Sequence, residues 1–104
     1  MKVWIQEWTE SERGWGRRPD GFTAHRSKAH IDKFLAEMRA REAVTYGEDV
    51  PDSYSYPEGQ PFEVEINKKD LTDKKAFEQG SGCWMKHNWH PPRDASTAWR
   101  PLNG

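Results

Sequence analysis

A short glycine-bearing loop near the amino terminus holds the residues whose types and spacing come nearest to a recognisable chemistry. Glycines let backbone amides approach an anion, arginines donate paired hydrogen bonds to phosphate or carboxylate, and an indole offers a flat face for stacking a base. The cluster predicts a clamp for a small anionic nucleotide. The alternative is a solvated hairpin loop in which Trp15 folds back onto the core and the arginines pair with Glu10 or Glu12. The loop consists of Arg13, Gly14, Trp15, Gly16, Arg17 and Arg18.

Two further groups of residues are candidates for the same ligand. Tyr46, Tyr54 and Tyr56 supply stacking area and hydroxyls from a second loop, although these rings are also suited to covering a small core. His25 and His30 flank a predicted strand-to-helix junction, where an anion is favoured, although histidines there are more often solvated or structural. The predicted ligand-binding residues are Arg13, Trp15, Arg17, Arg18, His25, His30, Tyr54 and Tyr56.

The sequence gives little support for an enzyme or a metal site. Cys83, His87 and His90 have the spacing of three zinc ligands, but no second Cys or His pair completes a tetrahedral site. Nothing near Cys83 would lower the pKa of its thiol, so a cysteine nucleophile is not indicated either. Because no catalytic triad, carboxylate pair or P-loop is present, we expect no cofactor and no enzymatic activity. A nucleotide-modifying enzyme that uses His25 or His30 is the weaker alternative.

Size and composition predict one small domain. The chain has 104 residues, 34% of them hydrophobic and 32% charged, and its six Trp compensate for the shortage of aliphatic residues. The formal net charge of −1 gives no general attraction for nucleic-acid polymers. The lone Cys83 excludes an internal disulfide, and no segment resembles a signal peptide or a membrane span. We therefore expect a cytoplasmic protein.

Hydrophobic patterning in the first half of the chain predicts a hairpin followed by a helix. Residues 2–8 carry Val3, Trp4 and Ile5 in succession, as in a central strand buried on both faces. Residues 9–20 are expected to form a polar loop, and residues 21–26 the second arm of the hairpin. Ser27 is the expected N-cap of a helix over 28–42. The helix has an apolar stripe formed by Ile31, Phe34, Leu35 and Met38.

The second half predicts a strand, a short helix and a tail. Residues 45–61 read as a connection without regular structure, and residues 62–66 alternate as a strand whose apolar face packs on the helix stripe. A short helix within 68–79 places Leu71 and Phe77 inward, and residues 83–85 form a last short strand. The predicted fold is α+β: an antiparallel sheet of three to four strands on one main amphipathic helix, with a domain at 1–85 and an extended C-terminal arm at 86–104.

Two segments on either side of the predicted helix resemble a known family. RPDGFTAH and VPDSYSYPEGQPFEVEI are similar to segments of small uncharacterised proteins encoded by tailed bacteriophages, and the resemblance covers residues 2–67. It carries over no catalytic residue. It implies an accessory role in the host cytoplasm, where such proteins often disable host defence by sequestering nucleotide immune signals or by blocking a host protein.

The residues and the resemblance together predict a non-enzymatic anti-defence protein. We expect a homo-oligomer that captures a small anionic nucleotide signal between aromatic side chains and arginines. The alternative is a protein-protein inhibitor or scaffold that uses exposed Trp, Tyr and Arg as interface anchors, since these residue types are enriched at binding hot spots.

Overall fold

One antiparallel sheet organises the molecule, for which a computed structural model describes residues 1–47 and 53–92. The strands lie in the order β3-β1-β2-β4. This arrangement confirms the α+β prediction and the central position of the first strand. The elements are β1 (Lys2–Glu12), β2 (Gly16–His25), α1 (Ala29–Tyr46), β3 (Ser53–Glu65), a 3-10 helix (Lys68–Asp70), α2 (Lys74–Glu78) and β4 (Cys83–Trp84).

The β1–β2 hairpin is longer than its sequence suggests. The strands pair as far as Glu12 opposite Gly16, with a bulge after Trp8, so only residues 13–15 lie outside them. The predicted polar loop over 9–20 is therefore wrong in extent. Backbone pairing needs no apolar side chains, so two polar strands can continue an established ladder into solvent.

The prediction that residues 45–61 lack regular structure is wrong for 45–46 and 53–61. α1 continues to Tyr46, and β3 begins at Ser53 and runs along an edge of the sheet. An edge strand tolerates Pro57 and Pro61 because it needs donors on one side only. Where β3 bulges away from β1, the Gln6 side-chain amide donates to two β3 carbonyls, at 3.1 and 3.2 Å. Residues 48–52 lie outside the described part of the chain.

The main apolar cluster lies on one face of the sheet, which we call the cluster face. Phe62, Val64 and Ile66 point into it, as their alternation with two exposed glutamates predicts. The rest of the cluster comes from β1, β2 and the C-terminal segment and not from α1, so the predicted packing against the helix stripe is wrong. The buried residues of the cluster are Val3, Ile5, Ala24, Phe62, Val64, Ile66, Leu71, Phe77, Cys83 and Met85.

The opposite face, which we call the helix face, is covered by α1. Phe34 lies 5.8 Å from Trp8, 5.3 Å from His25 and 6.2 Å from Trp84, measured between ring centroids. The stripe prediction is confirmed for Ile31 and Phe34, which are buried, whereas Leu35 and Met38 are half-buried. The N-cap prediction at Ser27 is wrong: the helix is preceded by residue 28, which makes no side-chain cap bond. No helix in the described ranges is long and apolar enough to span a membrane.

The C-terminal segment closes the cluster face. Leu71 and Phe77 are buried as predicted, and α2 is capped by the Asp73 carboxylate, which accepts from the Ala76 amide at 3.1 Å. β4 is the predicted last short strand. Beyond it, the Trp89 ring packs edge-on against Phe22 at 5.4 Å. Residues 93–104 of the predicted arm lie outside the described residues, and the predicted boundary at residue 85 stays a prediction.

Candidate interaction site at the tip of the hairpin

The candidate site is the end of the sheet that carries the turn between β1 and β2, which we call the distal end. It comprises residues 9–12 of β1, 16–20 of β2 and 53–57 of β3, together with the connecting loop 13–15. Ser11 stands opposite Arg17 on one side and opposite Tyr54 on the other. Directly paired residues of an antiparallel sheet share a face, so these three side chains lie in one row.

Trp15 sits at the outermost point of this ribbon and leaves 84% of its surface exposed. Its backbone amide donates to the Glu12 carbonyl at 3.0 Å, which closes a tight turn. Gly14, with a φ of 83°, occupies the position where such a turn needs a left-handed residue. The alternative in which Trp15 folds back onto the core and the arginines pair with glutamates is therefore wrong for Trp15, whose indole lies in solvent. It is confirmed for Arg18, which pairs with Glu10 and Glu12.

The three arginines of the predicted clamp do not converge. Arg18 donates from Nε to Glu10 Oε1 at 2.7 Å, and its Nη2 lies 3.1 Å from Glu12 Oε2. The hydrogen bond and charge of Glu10, followed by the charge of Glu12, raise the pKa of Arg18 above its usual value. Arg17 is next to Arg18 in a strand and so points to the opposite face. Arg13 is exposed in the loop.

Tyr54 and Tyr56 lie on β3 and not in a loop. Their ring centroids are 6.0 Å apart, and Tyr54 is 41% exposed while Tyr56 is half-buried. The register places them on the same face as Arg17. The structure thus brings two of the predicted tyrosines and one predicted arginine onto one open sheet face. Tyr46 is the last residue of α1, and its side chain lies outside the described residues.

His25 lies in the interior and cannot contact a ligand at the loop, which corrects its place in the predicted site. It has no exposed surface. Its Nδ1 donates to the Ser81 carbonyl at 2.8 Å, so Nε2 accepts from the Thr23 hydroxyl at 2.7 Å, and that hydroxyl accepts from Trp8 Nε1. Burial lowers the pKa of His25 to about 4. The imidazole is a neutral structural link.

His30 is also remote from the hairpin tip. It lies in the first turn of α1, half-buried beside Gly80, where a methyl group in place of the glycine hydrogen would stand 3.4 Å from the ring. Its buried Nδ1 has no hydrogen-bond partner among the described residues. Both histidines therefore belong to the packing of the helix against the sheet, and of the eight predicted residues only six lie at the distal end.

Cys83 behaves as a core residue. It is buried in the apolar cluster, and burial raises the pKa of its thiol, which disfavours the reactive thiolate. In ranges 1–47 and 53–92, no three His, Cys, Asp or Glu side chains are grouped so that they could hold a metal ion. Cys83 is therefore a packing residue of the apolar cluster.

Residues that the sequence interpretation did not single out add hydrogen bonds that brace the distal end. Arg39 of α1 donates from Nη2 to the Ser55 carbonyl at 2.7 Å, and the Ser55 hydroxyl bonds to the Asp20 carboxylate. Thr9 donates to Glu58 at 3.2 Å. One signal in the sequence could have pointed to part of this bracing: the glutamates of β1 lie opposite Arg18 once the hairpin register is known.

The chain matches no protein-family profile, no curated protein and no solved structure.

Proposed function

We propose that this protein is a binding domain that attaches to a partner protein through its distal end, with Trp15 as the anchor. The observation that carries the proposal is the 84% exposure of this indole at the tip of a braced hairpin. Trp is among the residue types that dominate binding energy when they enter a pocket on a partner. A large exposed indole without such a role is a solubility liability.

The bracing of the ribbon supports this function because it lowers the entropic cost of binding. Arg18 is held by two carboxylates across the hairpin, and the contact of Arg39 with the Ser55 carbonyl ties α1 to the sheet. A side chain presented by an already ordered element loses less freedom on association than one on a mobile loop. The tip is therefore preorganised for docking.

The charges near the tip define the chemistry of the partner. Arg13 and Arg17 are exposed and form no ion pair with a carboxylate of the described residues, whereas Arg18 is already engaged. A complementary surface has an apolar pocket for the indole, with carboxylates beside it for the two free guanidiniums. Tyr54 extends the contact area on the face that Arg17 shares.

Nucleotide capture by the same loop stays a prediction, and it has less support from the geometry. An anion at Arg18 would have to compete with Glu10 and Glu12, and Arg17 points to the other face of the ribbon. His25 is enclosed in the core. Homo-oligomerisation, a phage origin and the absence of enzymatic activity likewise stay predictions.

The test compares protein variants by quantitative affinity capture, followed by calorimetry with the purified partner. Trp15→Ala is expected to weaken binding by about 2 kcal/mol or more, roughly 30-fold, because it removes the anchor. The double charge reversal Arg13→Glu with Arg17→Glu is expected to slow association and to weaken binding. Both effects are expected to be larger at low salt. Val44→Ala is the matched control, since Val44 is an exposed apolar residue on α1, 89% accessible.

The decisive result is a partner retained by wild type and by Val44→Ala but lost from Trp15→Ala. If every captured protein binds Trp15→Ala as well as wild type, the proposal fails. A panel of cyclic nucleotides and ADP-ribose derivatives forms the second arm of the experiment. If one of these ligands gives binding heat with wild type but not with Trp15→Ala, the partner of the distal end is a nucleotide and not a protein.

A further inference from the structure

A second candidate site lies at the opposite end of the sheet from Trp15. Here a cleft of about 370 Å³ opens between three segments that are remote in sequence. Arg26 reaches it from the connection after β2, Lys68 from the 3-10 helix and Lys74 from the first turn of α2. The cleft is lined by Met1, Arg26, Lys68, Leu71, Lys74, Phe77 and Glu78.

The lining is unusually cationic for a chain whose formal net charge is −1. Three basic side chains face one carboxylate, that of Glu78, and none of the three forms an ion pair within the described residues. Like charges gathered in one concavity repel one another, and a bound anion relieves that repulsion. The arrangement therefore favours an anionic occupant.

Two parts of the cleft lining are held by contacts within the protein. Leu71 and Phe77 are buried members of the apolar cluster, so they give the cleft an ordered apolar side. Arg26 is oriented by a hydrogen bond from its Nη1 to the Glu78 carbonyl at 3.2 Å. Its other guanidinium nitrogens remain available to pair with an anion.

We propose that this cleft binds the phosphate group of a small molecule. A phosphate carries close to two negative charges at neutral pH, which suits a cleft lined by three cations better than a single carboxylate does. An arginine fork contacts two phosphate oxygens, and lysines add point charges from the sides. A volume of about 370 Å³ accommodates a phosphate or pyrophosphate with a small substituent. The site is independent of the protein-docking function of the distal end.

The test uses isothermal calorimetry with inorganic phosphate, pyrophosphate and AMP on the full chain. The variant Lys68→Glu with Lys74→Glu reverses two charges that line the cleft. The matched control is Lys69→Glu with Lys75→Glu, which makes the same change of charge on neighbouring exposed residues that do not line it. Thermal unfolding of both double variants verifies that they are folded. Arg26→Lys, which keeps the charge but removes the fork, is a third variant.

We expect at least one probe to bind wild type and the control alike, and to bind Lys68→Glu with Lys74→Glu at least about tenfold more weakly. Phosphate alone as the best ligand identifies a free-anion site, whereas preference for AMP identifies a phosphorylated metabolite. The proposal is overturned if no probe binds, or if both double variants weaken binding equally, because the attraction is then one of overall charge. If Arg26→Lys binds the probe as tightly as wild type does, the guanidinium of Arg26 is not part of the site.

Discussion

The two halves of the β1–β2 hairpin differ in what covers them. In the proximal half, residues 2–8 and 21–25, both faces lie under other layers, and Trp8 has no exposed surface. In the distal half, seven residues further along, Trp15 is exposed to solvent. The same backbone ladder serves both halves. The comparison shows that backbone pairing between β1 and β2 continues beyond the part of the sheet that the core covers. The distal half of the hairpin can therefore serve as a contact surface.

The largest loss of stability is expected from Gly82→Ala, because residue 82 packs against His25 in the proximal half. A methyl group there would stand 2.2 Å from His25 Nδ1 and 2.7 Å from the Ala24 carbonyl oxygen, and Gly82 has a φ of 151°. Backbone and a buried ring cannot both give way, so we expect more than about 4 kcal/mol of lost stability, or failure to fold. Urea unfolding monitored by circular dichroism measures the loss.

Gly14→Ala is the matched control in the distal half. Gly14 also has a positive φ, of 83°, but a methyl group there meets nothing within 4 Å. The expected cost is about 1 to 2 kcal/mol, from backbone strain alone. Equal losses from the two substitutions would contradict the contrast between a sealed and an open half.

The next prediction compares how much each of the two indoles contributes to the free energy of unfolding. Trp8→Ala removes a fully buried ring that contacts Phe34 and Trp84 and donates to Thr23, so we expect it to lower the free energy of unfolding by about 3 to 5 kcal/mol. Trp15→Ala is expected to change it by no more than about 0.5 kcal/mol, since its ring is exposed. Chemical denaturation of both variants provides the comparison. A marked loss from Trp15→Ala would show that the tip supports the fold.

The fold was predictable where side chains carry the pattern. Val3 and Ile5 mark a central strand, and Ile31 and Phe34 mark the buried side of α1, because apolar spacing reports which surfaces are covered. The distal ribbon and the start of β3 were not predictable in this way. Their strands are held by backbone hydrogen bonds between polar residues, and Pro57 is tolerated only because β3 is an edge.

The candidate site was predictable in part. The sequence identified Trp15 and Arg17 but could not state which face each residue takes, because that depends on the register between β1 and β2. It also placed His25 in a ligand site, although it lies inside the core. Histidine is common in both settings, and only the contacts with Thr23 and Ser81 distinguish them.

Lowering the pH is expected to reduce the free energy of unfolding, because the buried His25 of the proximal half must take up a proton. The unfolded chain binds a proton with a pKa near 6.5, whereas the folded chain resists protonation until about pH 4. Because the folded pKa is lowered, the stability from neutral His25 is fully present above about pH 6.5 and is lost as the pH falls toward 4. Between about pH 7 and pH 5 the loss is about 2 kcal/mol. Urea titrations at several pH values measure it.

His25→Gln is the control for this titration. The amide can donate to the Ser81 carbonyl and accept from Thr23, but it does not take up a proton in this range. The variant is expected to be less stable than wild type at neutral pH and to lose less stability between about pH 7 and pH 5. An unchanged pH dependence in His25→Gln would assign the effect to other groups.

The smallest effect is expected from Arg18→Ala in the distal half. The guanidinium is exposed and bridges Glu10 and Glu12, so its pairs are screened by water and salt. If backbone pairing holds the ribbon, this substitution leaves the midpoint of global unfolding unchanged but raises the frequency of local opening. Amide hydrogen exchange should then become faster at residues 10–12 and 16–18 and remain unchanged at residues 3–8. A loss of global stability comparable to that of Trp8→Ala would mean that the two halves form one cooperative unit, and the distal end would no longer be separable from the core as a surface for contact.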